Sequence, residues 1–152
     1  MNTVAVPLNT TCPTDIVFVV DESGSIDSSE YALMKSFLSR LVGRLDIDSN
    51  GTRVSLVTFG SAVGTVFNFA DYTSAASLQT AISSLSKAGG GTKTYSALEY
   101  VRTTLLTPTA GDRADVCNIV VVLTDGKSSN DALTQVSLTL NYTALIFLLI
   151  LL

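Results

Sequence analysis

The chain has 152 residues, enough for one domain with a substantial core. Its apolar share of 47 % against 14 % charged residues fits an ordered fold, and a net charge of −4 with no cluster of Lys or Arg argues against nucleic-acid binding. Histidine is absent, which removes His-based triads, His-ligated zinc and the commonest general base. Residues 1–14 read as an irregular lead-in, with Pro7 and Pro13 discouraging regular structure. From Asp15 a run of five apolar, mostly β-branched residues, Ile16 to Val20, predicts a strand buried on both faces over 15–21. It ends in Asp21, Ser23 and Ser25 at alternate positions, with Gly24 allowing a turn. Hard oxygen donors on such a loop suit a small hard cation such as Mg²⁺, although a polar turn after a strand has the same composition.

Asp27 with Glu30 has the capping-box relation, and Tyr31, Met34, Phe37, Leu38, Leu41, Val42 and Leu45 recur at helical spacing, predicting a helix over 28–45 with that stripe in the core. A polar turn, 46–51, leads to a second strand over 52–59, and residues 63–69 return as an antiparallel edge strand. Leu78, Ile82 and Leu85 mark a short helix, and Ala97, Leu98, Val101 and Leu105 mark another. Between them stands Gly89-Gly90-Gly91-Thr92-Lys93-Thr94. Residues 108–115, with Asp112, Arg113 and Asp115, read as a polar loop, and 116–124 as another strand, all apolar over 119–123 and ending in Thr124-Asp125-Gly126. A helix is expected from Ser128 to about Leu140.

In a doubly wound sheet, strand ends converge where the strand order reverses. Two neighbouring parallel strands would bring Asp21 and Asp125 within reach of one ion, with the Thr92 loop closing the site from the side. At this point the chain resembles a von Willebrand factor type A (vWA) domain from about Pro13 to Gln135, closest in phrasing to extracellular, collagen- and matrilin-like members. Asp21-x-Ser23-x-Ser25, the Gly-Gly-Gly-Thr-x-Thr element with its ligand position at Thr92, and Leu-Thr-Asp-Gly at Asp125 match the parts of the family's metal-ion-dependent adhesion site, MIDAS.

The resemblance implies an α/β, doubly wound, mostly parallel sheet with helices on both faces and one antiparallel edge strand. It implies direct coordination of Mg²⁺ (or Mn²⁺ or Ca²⁺) by Ser23 and Ser25, and by Thr92 directly or through water. Asp21 and Asp125 then neutralise charge and hold ligands or waters. A carboxylate from a partner, an extracellular-matrix or cell-surface protein with collagens among the candidates, completes the coordination sphere. Glu22 and Lys93 beside this site read as solvated, and Thr94 as a loop-stabilising hydroxyl.

In the family's strand order the strands that follow Cys12 and begin near Cys117 are neighbours, so the resemblance implies a Cys12–Cys117 disulfide, against two free thiols. A bridge implies an oxidising compartment. Asn9, Asn50 and Asn141 head Asn-x-Thr sequons, candidate glycosylation sites consistent with an extracellular protein. The amino terminus has no basic region followed by an apolar core, so a secreted protein would contain this chain as a piece of a longer one.

The tail departs from the family, which closes with further strands and a helix. The domain is thus expected over 15–140, incomplete, followed by an apolar tail over 141–152. Three readings of the tail stand open: a substitute for the fifth strand, a non-native end, or a hydrophobic anchor signal. Its nine contiguous apolar residues are too few to span a bilayer as a helix. A sheet face left uncovered favours self-association.

Three functions follow: metal-dependent adhesion, a structural or truncated vWA module that binds no ligand, or an enzyme. The enzyme reading is the weakest. Lys93 follows Thr92 and not Gly, which breaks the phosphate-loop pattern; Gly89-x-Gly91 lacks a third glycine at Thr94; and a Mg²⁺-dependent hydrolase has no candidate general base.

Overall fold

A computed structural model describes residues 13–125 and the backbone of a strand at 144–150. Its elements are β1 (Thr14–Asp21), α1 (Ser28–Val42), β2 (Thr52–Phe59), β3 (Val63–Phe67), α2 (Ala75–Ser83), α3 (Thr94–Tyr100), β4 (Cys117–Thr124) and β5 (Ala144–Ile150). α3 runs on into a π-helical turn, Val101–Leu105, and a single 3₁₀ turn covers Pro108–Ala110. The expected helix over 128–140 and Cys12 lie outside the described residues.

The strands form one sheet in the order β3-β2-β1-β4-β5. β1 is central, parallel to β2 on one side and to β4 on the other, and β4 is parallel to β5. Only β3 runs antiparallel, at the edge beside β2. The apolar runs of β1, β2 and β4 follow from this arrangement, since helices cover both faces and alternate residues feed two cores. Ile16, Phe18, Val20, Val54 and Leu56 join Met34, Leu38 and Val42 of α1 and Leu78 and Ile82 of α2. Val17, Val19, Val57, Val120 and Val122 join Ala97, Leu98, Val101 and Leu105 on the other face.

α1 starts at the capping box read from the sequence: Asp27 Oδ1 accepts the N–H groups of Ser29 (2.7 Å) and Glu30 (2.8 Å), and Glu30 Oε2 accepts the N–H of Asp27 (2.7 Å). The helix ends at Val42, three residues earlier than its apolar spacing suggested, because Gly43 caps it and the chain turns at once toward β2. Phe37 departs from the predicted stripe. Together with Leu33 it is exposed (42 % and 69 %), one turn apart on the flank away from α2, which Lys35 and Ser39 face. β3 stops at Phe67, and the backbone N–H of Phe69 bonds instead to Ala110 O (3.0 Å).

Below the sheet, the loop read from sequence as merely polar is a structural clamp. Arg113 reaches Asp15, whose side chain is fully buried, through Nε (2.9 Å), Nη2 (2.6 Å) and its backbone N–H (2.9 Å). The same guanidinium donates to the carbonyls of Asn50, Thr14 and Gly51. One side chain thereby ties the amino ends of β1 and β2 to the loop that precedes β4.

Candidate metal centre

β1 and β4 pair through Val20 and Leu123, so Asp21 and Thr124 leave the sheet side by side. Asp21 is fully buried, and both its oxygens are engaged: Oδ1 accepts the backbone N–H of Ser23 (2.8 Å), and Oδ2 accepts the hydroxyl of Thr124 (2.7 Å). This fixes the carboxylate and curls the following loop over it. Ser23, buried, and Ser25, exposed, then stand with their hydroxyl oxygens 3.0 Å apart. Asp125 follows Thr124 directly, half-buried, with Oδ2 shielded from solvent.

The glycine loop is stitched to this centre through its backbone. Gly24 N–H donates to Gly90 O (2.8 Å), and Gly89 N–H donates to Glu22 O (3.0 Å). On the other side, Lys93 N–H donates to Gly60 O (2.9 Å) and Gly91 N–H to Ser61 Oγ (2.7 Å). Gly89 and Gly90 have φ of 77° and 94°, a left-handed conformation that residues with a Cβ adopt reluctantly. A Cβ at Gly24 would come 3.2 Å from Gly90 O, so the two loops approach as closely as they do because glycines face one another. The loop delivers Thr92, half-buried, just before α3, while Thr94 is buried in the helix's first turn.

Two residues beside the centre differ from the sequence reading. Glu22, expected in solvent, is 3 % exposed. Its backbone N–H donates to Phe59 O (2.8 Å), its carbonyl accepts Gly89 N–H, and its carboxylate lies over Gly64. It is buried because β3, pairing beside β2, brings Gly64 against its carboxylate, a tertiary event with no local signal. Its negative charge, after burial itself, helps push the Tyr31 hydroxyl up to about 12. Thr124 is the residue that the sequence reading gave no role; its signal was a hydroxyl closing an otherwise apolar strand, just before the Asp-Gly turn. Neither Asp21 nor Glu22 joins an ion pair among the described residues. Cys117 is exposed at the start of β4, with its expected disulfide partner outside the described residues.

A crevice at the carboxyl ends of two adjacent parallel strands, walled by carboxylates and hydroxyls from separate loops, defines a class: doubly wound α/β domains with a ligand site at the switch point. The von Willebrand factor type A domain profile matches residues 15–147, and the chain belongs to that family. It is 39 % identical over 130 residues to matrilin-1 of Mus musculus, covering 84 % of this chain and 26 % of matrilin-1. It is also 38 % identical over 121 residues to the collagen alpha-4(VI) chain of the same species, covering 78 % of this chain and 5 % of that one. The chain thus spans about a quarter or less of these relatives' lengths. Among solved structures, proximal thread matrix protein 1 of the mussel byssus superposes with a TM-score of 0.82 at 23 % identity, over 90 % of this chain and 37 % of that one. The same mussel protein with a zinc-occupied MIDAS motif superposes with a TM-score of 0.77 at 30 % identity, over 90 % of this chain and 35 % of that one.

Proposed function

We propose that the chain is a divalent-cation-dependent adhesion module of an extracellular-matrix or cell-surface protein, gripping an acidic side chain of its partner. The observation that carries this reading is the Asp21 carboxylate locked between Ser23 and Thr124, which holds two serine hydroxyls on one side of a crevice that the glycine loop closes on the other.

The donor set fits the ion. The sequence has no histidine, and Cys117 stands at the start of β4, away from the crevice at its carboxyl end, so soft donors are not what this site offers. Ser23, Ser25 and Thr92 supply neutral hydroxyl oxygens, and Asp21 and Asp125 supply carboxylates, the oxygen donors that Mg²⁺, Mn²⁺ or Ca²⁺ accept. A fully buried Asp21 beside a buried Glu22, with no ion pair of their own among the described residues, is an arrangement that a nearby cation would stabilise. The bound ion would supply a positive centre for an outside carboxylate. The chain's own part is to keep Asp21 oriented and water-shielded, and to leave Ser25 and the glycine loop open to solvent. The zinc-occupied MIDAS of the mussel protein and the identity to matrilin-1 and collagen alpha-4(VI) support the reading.

The same features favour binding over catalysis. Two hydrogen bonds hold the Asp21 carboxylate in a fixed orientation, as a binding site needs, and the sequence has no histidine to act as base. Isothermal calorimetry of Mg²⁺ or Mn²⁺ with the wild type and Asp21→Ala tests the site: heat of uptake is expected from the wild type alone, and equal uptake by both removes the assignment. Retention on immobilised collagen that EDTA abolishes, and added Mg²⁺ restores, tests the partner class; retention indifferent to EDTA refutes it.

A further inference from the structure

We propose that Asn50 carries an N-linked glycan whose first N-acetylglucosamine seats in a groove lined by Ile47, Asp48, Arg53, Phe69 and Tyr72. Of the three sequons, Asn9 and Asn141 lie outside the described residues, and Asn50-Gly51-Thr52 forms the turn entering β2.

Asn50 is exposed, with φ at 61°, the left-handed conformation asparagine tolerates best after glycine. Its backbone is pinned: its N–H donates to Ile47 O (2.9 Å), and its carbonyl accepts from Arg113 Nη1 (2.9 Å). The side-chain amide is oriented as well. Oδ1 accepts from Arg53 Nε (2.9 Å), which leaves Nδ2, the atom that bears the sugar in such glycans, without a hydrogen-bond partner among the described residues.

Asn50 is itself part of the wall of a groove of about 330 Å³, at the small end of the range for ligand clefts. Half-buried Tyr72, held edge-on against Phe67 (ring centroids 5.0 Å apart), gives the groove its exposed apolar surface, and the core residues Ile47 and Phe69 form the floor behind it. Asp48 supplies an exposed carboxylate, and Arg53, whose Nε and Nη1 donate to Asn50 Oδ1 and Gly111 O, supplies Nη2. A hexosamine ring, with C–H groups on one face and hydroxyl and acetamido groups around its edge, matches that division, and a sugar linked to Asn50 starts at the groove's own rim. The placement leaves the metal centre clear. Asn50 precedes the amino end of β2, whereas the metal centre follows the carboxyl ends of β1 and β4, which are parallel to it in the sheet.

The covalent step belongs to a transferase of the secretory pathway with a lipid-pyrophosphate-linked oligosaccharide as donor. Asn50 Nδ2 forms a bond to C1 of the sugar, the C1–oxygen bond to the pyrophosphate breaks with its electron pair leaving on the lipid pyrophosphate, and Nδ2 gives one proton to a base of the transferase. Thr52 is 9 % exposed and its N–H is bonded to Asp46 O (2.6 Å), so the triplet is accessible before β2 docks and closed afterwards. Transfer therefore precedes folding, and the groove receives the sugar as the turn closes.

The proposal draws on the extracellular reading for the compartment alone. The chain is secreted from a eukaryotic cell line behind a cleavable leader, purified, and treated with peptide-N-glycosidase. Peptide mass spectrometry is expected to find Asn50 converted to Asp, and amide hydrogen exchange to speed up at 47–53 and 69–73 once the glycan is removed. Asn50→Gly keeps the left-handed turn, lacks the acceptor nitrogen, and is expected to lose the modification at this turn. Unmodified Asn50 in the secreted folded protein overturns the site. A modified Asn50 whose removal leaves exchange at both segments unchanged overturns the groove. Magnesium calorimetry on the same samples reads the metal centre separately, and is expected to give the same affinity with and without the glycan.

Discussion

The carboxylate of Glu22 fills the space that a side chain at Gly64 would need. A Cβ at Gly64 would run into Glu22 Oε1 and come 2.5 Å from Thr58 Oγ1, whose oxygen already accepts the N–H of Thr65 (2.8 Å). The edge strand β3, paired beside β2, thus carries a glycine where the buried acid of the loop after β1 lies against it. Gly64 is itself exposed, but its inner side is filled by the Glu22 and Thr58 side chains, so Gly64→Ala is expected to cost about 1–3 kcal/mol of stability, the usual range for overpacking. Urea denaturation measures the loss. Combining it with Glu22→Ala should return part of that loss, since the two side chains contend for one volume. Gly64→Ala should also weaken Mg²⁺ uptake, because Glu22 lies between Asp21 and Ser23. Strict additivity of the two substitutions would refute the shared-volume argument.

Thr124 offers a cleaner separation of stability from metal affinity. Thr124→Val keeps the shape and removes the hydroxyl that Asp21 Oδ2 accepts at 2.7 Å. A buried carboxylate oxygen left without its donor costs about 1–3 kcal/mol. Losing a group that orients a metal-site carboxylate costs roughly 10–100-fold in affinity. Thr124→Ser restores the donor and should recover most of the affinity in a calorimetric titration. Equal Mg²⁺ affinity in the valine and serine variants would show that the bond does not orient Asp21.

Much of this centre was legible before the fold. The apolar run at 16–20 is continuous because both sheet faces are covered there, and the run at 119–123, with Ile119 and Val121 part-buried, because its alternate residues serve the two cores. Asp21, Ser23 and Ser25 stand out because the residues after a buried strand must turn, and polar oxygen atoms there have nowhere to go but the crevice. The capping box at Asp27 and Glu30 was equally plain, being wholly local. What stayed hidden depends on segments far apart in the chain. Glu22 looks solvated until β3 comes against it. Phe37 has core spacing, yet it sits on the α1 flank away from α2, and among the described residues it stays 42 % exposed. Arg113 reads as loop polarity because its partner Asp15 lies 98 positions away.

That long-range pair should matter greatly for stability. Asp15 is fully buried and the Arg113 side chain is 18 % exposed, so removing the guanidinium strands a carboxylate in the interior. Arg113→Met is expected to destabilise the domain by about 3–5 kcal/mol. Replacing both partners, with Asp15→Asn beside Arg113→Met, removes the buried charge and should recover a sizeable share. Chemical denaturation of the two single variants and the double variant forms the cycle. A single-variant loss below 1 kcal/mol, the level of an exposed pair, would contradict the burial.

Asp112 gives a pH dependence of definite sign. Partial burial raises its pKa above the ordinary 3.8; the neighbouring Asn118 side chain partly opposes the shift, and repulsion from Asp15 adds to it. A carboxyl with a raised folded-state pKa prefers to be neutral in the fold. Its contribution to stability is therefore complete below 3.8, where both states are protonated, and declines as pH rises through the higher folded-state value. At neutral pH the ionised group is a net liability. Asp112→Asn keeps the shape, with an amide in place of the carboxyl, and removes the titration. The difference in unfolding free energy, variant minus wild type, is expected to rise from acid toward neutral pH and then level off. Unfolding followed across that range for both proteins cancels the carboxylates they share. A difference that falls with rising pH would mean the group is stabilised as the anion, reversing the role of its burial.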